Sequence, residues 1–385
     1  MTNRIAFRRP LIGIISLAAV AALAFAPPSG RPPAGPLQRY DPKLYDMTFS
    51  VTVSTLQKNF ASDREFYNLQ DAPIIMPVID LGAFSKVQHD SINGHLWLEG
   101  NEDLSLQRRI RFDEDQSYHT SRVVLTVANF HGQSLRWLVG YRVQSWSSKL
   151  DEKAAQNLTW PKEWSKEVAD GLAPQAYVES DDEVFKKKVE DITRGRIRMV
   201  SPYLAAKELI RWCVLNVRVF GDPQRKGIGE TILGLELIGA KAAMDKGSGT
   251  SLDLTCVCVA MLKAAGIPAR PVIGIMEDER DRTRFVVWAE FYMDNCGWIP
   301  FDPDELRSKN LHVANVYDAW PELGTMKHLN ERIPLAYNIV PVAAVQSPQY
   351  PAVWGWDPRP QKDPGSEQVI NLGIISRGKG EDDPK

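Results

Sequence analysis

The sequence predicts an α+β protein: an all-β region first, then helices packed on an antiparallel sheet. Three observations carry this. Between about residues 45 and 150, short apolar runs alternate with polar residues at the period of half-buried strands. From Ser251 to about Ala265 the chain is apolar nearly all round, which marks a buried helix. Beyond it, residues 285–292 and 298–301 read as strands joined by the hairpin turn Asp294-Asn295-Cys296-Gly297.

The N-terminus reads as a targeting segment. Arg4, Arg8 and Arg9 precede an apolar run from Leu11 to Ala26, which ends in Ala24-Phe25-Ala26. A positive region, an apolar region and a small-residue site are the parts of an export signal. The run is short for a spanning helix, so residues 1–26 are expected to be an export signal, with an uncleaved membrane anchor as the alternative. Residues 27–43 are rich in Pro, Gly and Arg and are expected to form a linker.

Residues 44–160 are expected to be the β-rich region. Runs at 45–53, 104–112, 123–130 and 135–143 are strand-like, and Asn93-Gly94, Glu99-Gly100-Asn101 and His131-Gly132 are turn signals. Such spacing predicts an antiparallel sandwich or barrel. Residues 161–335 are expected to be the core. The charged run 183–198 reads as a solvated helix face. After Pro202, the residues Leu204, Leu209, Ile210, Cys213, Val214 and Val217 form an apolar helical stripe, which Gly221 and Pro223 end. A further helix is expected over 228–245. Thr250 or Ser251 can cap the central helix, Asp253 complements its dipole, and Gly266 stops it. Residues 336–357, apolar and aromatic, are expected to add an edge strand or cover a groove. Residues 358–385 are expected to be a disordered tail.

Composition bounds the function. The chain has 385 residues, 44% apolar and 24% charged, as in ordinary globular proteins. A net charge of −2, with no basic–aromatic interleaving, argues against nucleic acid as a partner. Four cysteines do not make a disulfide scaffold, although one pairing stays open. The histidines are scattered and Cys256-x-Cys258 lacks a matching pair, so no metal site is expected. Nucleotide-cradling glycine motifs are absent, and no cofactor is expected.

The most informative stretch reads G-T-S-L-D-L-T-C-V-C-V-A-M-L-K-A-A-G-I-P-A-R from Gly249, then V-V-W-A-E-F-Y, then G-W-I-P-F-D-P. It resembles the transglutaminase-like superfamily, of papain-like fold. That family places G-x-C-x-D/E at the start of a buried helix ending in G-I-P-A-R. It then has H-A-W-x-E on one strand and G-W-x-x-x-D-P on the next. The resemblance covers roughly residues 200–305, and bacterial relatives often carry a β domain ahead of it. Aligned on Gly266 to Arg270, the family cysteine falls on Ser251. Aligned on Trp288 and Glu290, the family histidine falls on Val286. Asp302 holds the third position. The resemblance also makes Trp288, Trp298 and Gly249 candidates to line the cleft.

The replacements matter chemically. A cysteine at a helix N-terminus is readily a thiolate, whereas a serine hydroxyl needs an adjacent base. Valine has no ring nitrogen and cannot be that base, so Asp302 has no imidazole to orient. Shifting the register does not help. Cys258 lies about 10 Å along the helix from Ser251, Cys256 points to another face, and no histidine lies between His131 and His312.

The expectation is therefore an exported pseudoenzyme that binds or scaffolds a polypeptide or cell-envelope component, in the periplasm or at the inner membrane. One alternative is a hydrolase or acyltransferase rebuilt around Ser251, with His312, His328 or a β-region histidine as base. Another is a structural assembly protein acting through its β region. In structural terms, Ser251 reads as a helix cap, Asp302 as a carboxylate bonded to backbone or Arg270, and Glu290 as exposed.

Overall fold

A computed structural model describes residues 33–55, 66–105, 110–115, 120–308, 313, 315–340, 350–356 and 366–382. The targeting segment, His119 and His312 lie outside them.

Two long strands organise the β region. Leu37–Thr55 and Ser134–Leu150 pair antiparallel from Leu37↔Leu150 to Ser54↔Ser134, with a shift between Tyr40 and Lys43. The alternation seen in the sequence sets their buried side. Met47, Phe49, Val51 and Val53 stand opposite Tyr141, Val139, Trp137 and Leu135 across the ladder, and all are buried. A second sheet, in the order Gly355–Trp356, Ala72–Val78, Thr120–Val127, Arg111–Asp115, closes over that side. Trp356 brings its ring to 6.0 Å from that of Trp137, and Trp354 to 5.3 Å. Of the stretch expected to add an edge strand, Gly355–Trp356 do so, pairing with Ile75 and Ile74.

Several sequence expectations are corrected. The linker does not reach residue 43, because Leu37 onward already lies in the first long strand. The tail at 358–385 is not disordered throughout. Ser366–Lys379 is a 14-residue strand paired with the first strand from Thr55↔Ser366 to Lys43↔Lys379. Its partner rather than its own pattern holds it there, since backbone ladder bonds are indifferent to polar side chains. The helix expected over 228–245 is mostly a hairpin. Gln224–Lys226 and Ile232–Leu235 pair with each other, and Ile232 pairs with Ile370 of the C-terminal strand. Only Ala240–Lys246 is helical. Asn93-Gly94 and His131-Gly132 lie in strands rather than turns. Residue 160 is not a domain break, because one sheet joins strands from both regions and one apolar core runs through them.

The core is helices on a four-stranded antiparallel sheet. The strand order is Gly297–Phe301, Thr283–Met293, Ala269–Glu277, Ile333–Ala336. Against it packs the central helix Ser251–Ala264, whose residues are buried from Ser251 to Lys263, and Pro202–Asn216 packs on that helix. Thr250 caps this helix. Its hydroxyl accepts from Asp253 N, and the Asp253 carboxylate accepts from Thr250 N at 2.8 Å, a reciprocal capping box. At the far end Gly266 takes φ +76°, Gly266 N donates to Lys263 O and Ile267 N to Leu262 O, a Schellman ending. The G-I-P-A-R motif therefore turns the chain from helix into sheet.

Candidate functional site

The N-terminus of the central helix and the adjoining strands enclose a cleft of about 460 Å³. Ser251, Val286 and Asp302 all line it, so the fold brings together the three residues that the resemblance singles out.

Ser251 is the first residue of the central helix and is buried. Its carbonyl accepts from Thr255 Oγ1 at 2.9 Å, while its hydroxyl takes no partner among the described residues. Capping belongs to Thr250, which corrects the expectation for Ser251. The acidic residue two positions on has a structural task. Asp253 Oδ1 accepts from Ile238 N at 2.8 Å and Gly239 N at 2.9 Å, and so fastens the preceding loop to the helix. Gly249 serves this packing, because a Cβ there would lie 2.5 Å from the Asp253 Cβ.

Val286 stands opposite Gly274 in the strand register and presents a hydrocarbon side chain to the cleft. Asp302 is fully engaged. Oδ1 accepts from the backbone N–H groups of Asp304 and Glu305, each at 3.0 Å, at the start of the short helix Pro303–Ser308. Oδ2 accepts from Arg332 Nη1 at 2.6 Å. The arginine that meets Asp302 is therefore Arg332, 30 residues downstream, and not Arg270. Beside this pair, the Asp304 carboxyl is pushed above its ordinary range by burial and by the charges of Asp302 and Glu305.

Trp288, Trp298 and Gly249, expected to line the cleft, are not among its lining residues. Trp288 packs over Gly274, where a Cβ would come within 2.7 Å of its ring. Trp298 lies over the Arg270 guanidinium at 3.9 Å, with Tyr337 at 3.6 Å. Glu290 is buried rather than exposed and pairs with Arg270 Nη2 at 2.7 Å. Burial raises the Glu290 carboxyl above its ordinary range, against the pull of Arg270.

The candidate bases divide by place. His328 lies on the cleft rim with its side chain 72% exposed, and its Nδ1 is 3.5 Å from Glu331 Oε2. The described β-region histidines are engaged elsewhere: His89 lies 3.7 Å from Asp80, His95 lies 2.7 Å from Glu102, and His131 stacks on Phe66. All four cysteines are buried and free, and burial holds the Cys256 and Cys258 thiols well above their ordinary range. The sequence reading missed Arg332. Its only signal is that a buried carboxylate needs a cation, which does not say where that cation lies.

Comparison with known proteins agrees with this geometry. Residues 192–303 match the family model described as the Transglutaminase-like superfamily, and the chain carries a domain of that superfamily. Among solved structures, a candidate cysteine protease from Cytophaga hutchinsonii superposes with a TM-score of 0.55 at 14% identity, covering 90% of this chain and 94% of that one. That likeness shows the fold. A transglutaminase from red sea bream gives 0.27 at 11% identity over 74% of this chain and 50% of its own, too little to carry an argument. No curated protein matches.

Proposed function

We propose that the chain is an exported, catalytically silent transglutaminase-like protein whose cleft binds a polypeptide or cell-envelope component. The observation that carries this reading is the condition of Asp302. Its two oxygens serve a helix start and Arg332, in a cleft where Val286 replaces the only base the motif would supply. A carboxylate so held has no imidazole to orient, and a serine without a base is a poor nucleophile. Acidic side chains on the cleft wall, among them Asp222, Asp304 and Glu305, favour a ligand with positive charge. The arginine-led apolar N-terminus supports export or attachment to the inner membrane. The test is amine incorporation into, and hydrolysis of, peptide substrates by the purified protein. Neither is expected, and turnover that disappears in Ser251→Ala would refute the reading.

A second reading has one observation in its favour. His328 and Glu331 share the cleft with Ser251, which is the cast of a serine hydrolase. Its expected outcome is turnover that both Ser251→Ala and His328→Ala abolish.

A further inference from the structure

The described chain begins on the side of the molecule that carries the arginine-rich loop Arg194 to Val200. Ala34 N donates to Cys296 O at 3.0 Å, and a Cβ at Gly35 would lie 2.3 Å from Asn295 O. The start of the fold is thus pressed onto the hairpin turn at residues 294–297. The apolar run of the N-terminus ends at Ala26, and a fully extended chain from there to Gly35 spans about 30 Å at most. If that run sits in a bilayer, this side of the molecule is kept within reach of the lipid surface.

The side in question is continuous. Tyr292, of the same hairpin, meets Trp164 at 6.1 Å, and Trp164 Nε1 donates to Gly266 O at 2.8 Å. Arg198 Nη2 lies 3.7 Å from where a Gly266 Cβ would sit, and its guanidinium stacks on Trp160 at 4.0 Å. Trp160 Nε1 in turn donates to Val200 O at 2.8 Å. The loop held by these contacts reads R-G-R-I-R-M-V from Arg194 to Val200. Arg194, Arg196 and Arg198 are exposed, and none pairs with a carboxylate among the described residues. Met199 is 77% exposed. Lys162 and Lys166 stand exposed on the Trp160–Trp164 side. Nearby acids are Glu190, whose Oε1 lies 3.6 Å from where a Gly195 Cβ would sit, together with Glu163, Glu167, Asp294 and Asp191, the last lying 3.8 Å from Lys188. The loop itself, Arg194 to Val200, carries three arginines and no acid, although the whole chain carries −2.

We infer that the Arg194–Val200 loop, with its tryptophan rim, is a docking surface for an anionic phospholipid bilayer. Arginines meet lipid phosphates, the exposed Met199 enters the interface, and indoles favour the boundary between water and acyl chain. Such a contact would fix the orientation of the molecule on the membrane, which a single tether point does not do.

The test uses the full chain with vesicles of phosphatidylcholine alone and of phosphatidylcholine mixed with phosphatidylglycerol. The N-terminal segment is common to all variants, so it cancels in the comparison. Relative to wild type, R194Q/R196Q/R198Q is expected to bind the anionic vesicles about 100-fold more weakly, about fivefold per arginine, and the neutral vesicles equally well. Arg196 has no ring contact, so R196Q alone is expected to give the fivefold loss with unchanged folding, which decides the matter should the triple variant melt early. Unchanged affinity for anionic vesicles, or an equal loss on both kinds, would overturn the inference. The first of these would leave an acidic protein as the partner of the patch.

Discussion

Arg270 and Arg332 each meet a buried carboxylate, Glu290 at 2.7 Å and Asp302 at 2.6 Å, yet their surroundings differ. Arg270 lies against Trp298 and Tyr337, and its Nη2 also donates to the Tyr337 hydroxyl at 3.0 Å. It is buried in the sheet and is not among the residues that line the cleft. Arg332 lines the cleft, its Nε has no partner among the described residues, and the ring nearest its guanidinium is Trp288 at 6.0 Å. The first pair ties together the two motifs by which the family is recognised. The second occupies Asp302, the carboxylate that the resemblance places third in the family's triad. The pair that holds the frame is thus wired inward, whereas Asp302 and Arg332 line the cleft.

Substitutions can break that contrast. Arg270→Met should be the most damaging, because it strands the Glu290 carboxylate where burial already opposes its charge. A loss of about 3–5 kcal/mol is expected, read as a collapse of the denaturation midpoint. Arg332→Met should cost less, about 1–3 kcal/mol, because Asp302 keeps two backbone donors. It should also sharpen the functional side. In a Ser251→Cys/Val286→His background, peptide hydrolysis is expected to rise when Arg332→Met is added, since the carboxylate is then released to the new imidazole. Equal rates with and without Arg332 would show that the pair does not restrain Asp302.

Lys263 gives a third buried cation for comparison, one with no carboxylate. Its Nζ donates to Ala173 O at 2.7 Å and Gln175 Oε1 at 3.0 Å, and burial pushes its pKa down to about 7. The folded state therefore binds fewer protons than the unfolded state between about pH 7 and the ordinary lysine pKa. Stability should rise with pH across that window, by up to about 1.4 kcal/mol per pH unit, and lose this contribution as pH falls to 7. Lys263→Met should flatten that slope in urea titrations run at several pH values, and an unchanged slope would assign it to other groups. The smallest effect is expected from Ser251→Ala, within about 0.5 kcal/mol of wild type, because its hydroxyl holds nothing.

Much of this was legible in the sequence because it is local. The start of the central helix at Thr250 or Ser251, the Gly266 stop and the strand alternation around Val51 and Val139 all depend on neighbours a few residues away, although the cap itself falls to Thr250 and not to Ser251. The failures are long-range. Residues 366–379 carry too many polar side chains to declare a strand, and only the ladder to residues 43–55 makes them one. Glu290 follows an exposed-looking alternation, but Arg270 draws it inward from 20 residues away. The hairpin at 224–235 has glycines at 227, 229 and 234 that argue against a helix, a signal that the apolar residues around them obscured. At the site, alignment of motifs named three positions, and all three line one cleft. The cation that occupies Asp302 was not legible, because pairing across the sheet leaves no spacing to read.

The central claim is that Ser251 is not an activated nucleophile, and labelling with a fluorophosphonate, read by intact mass, tests it most directly. The account predicts no adduct on the native protein, and none after addition of cationic peptides. A stoichiometric adduct that maps to Ser251 and is lost in His328→Ala would contradict it, and would make this cleft the active site of a serine hydrolase.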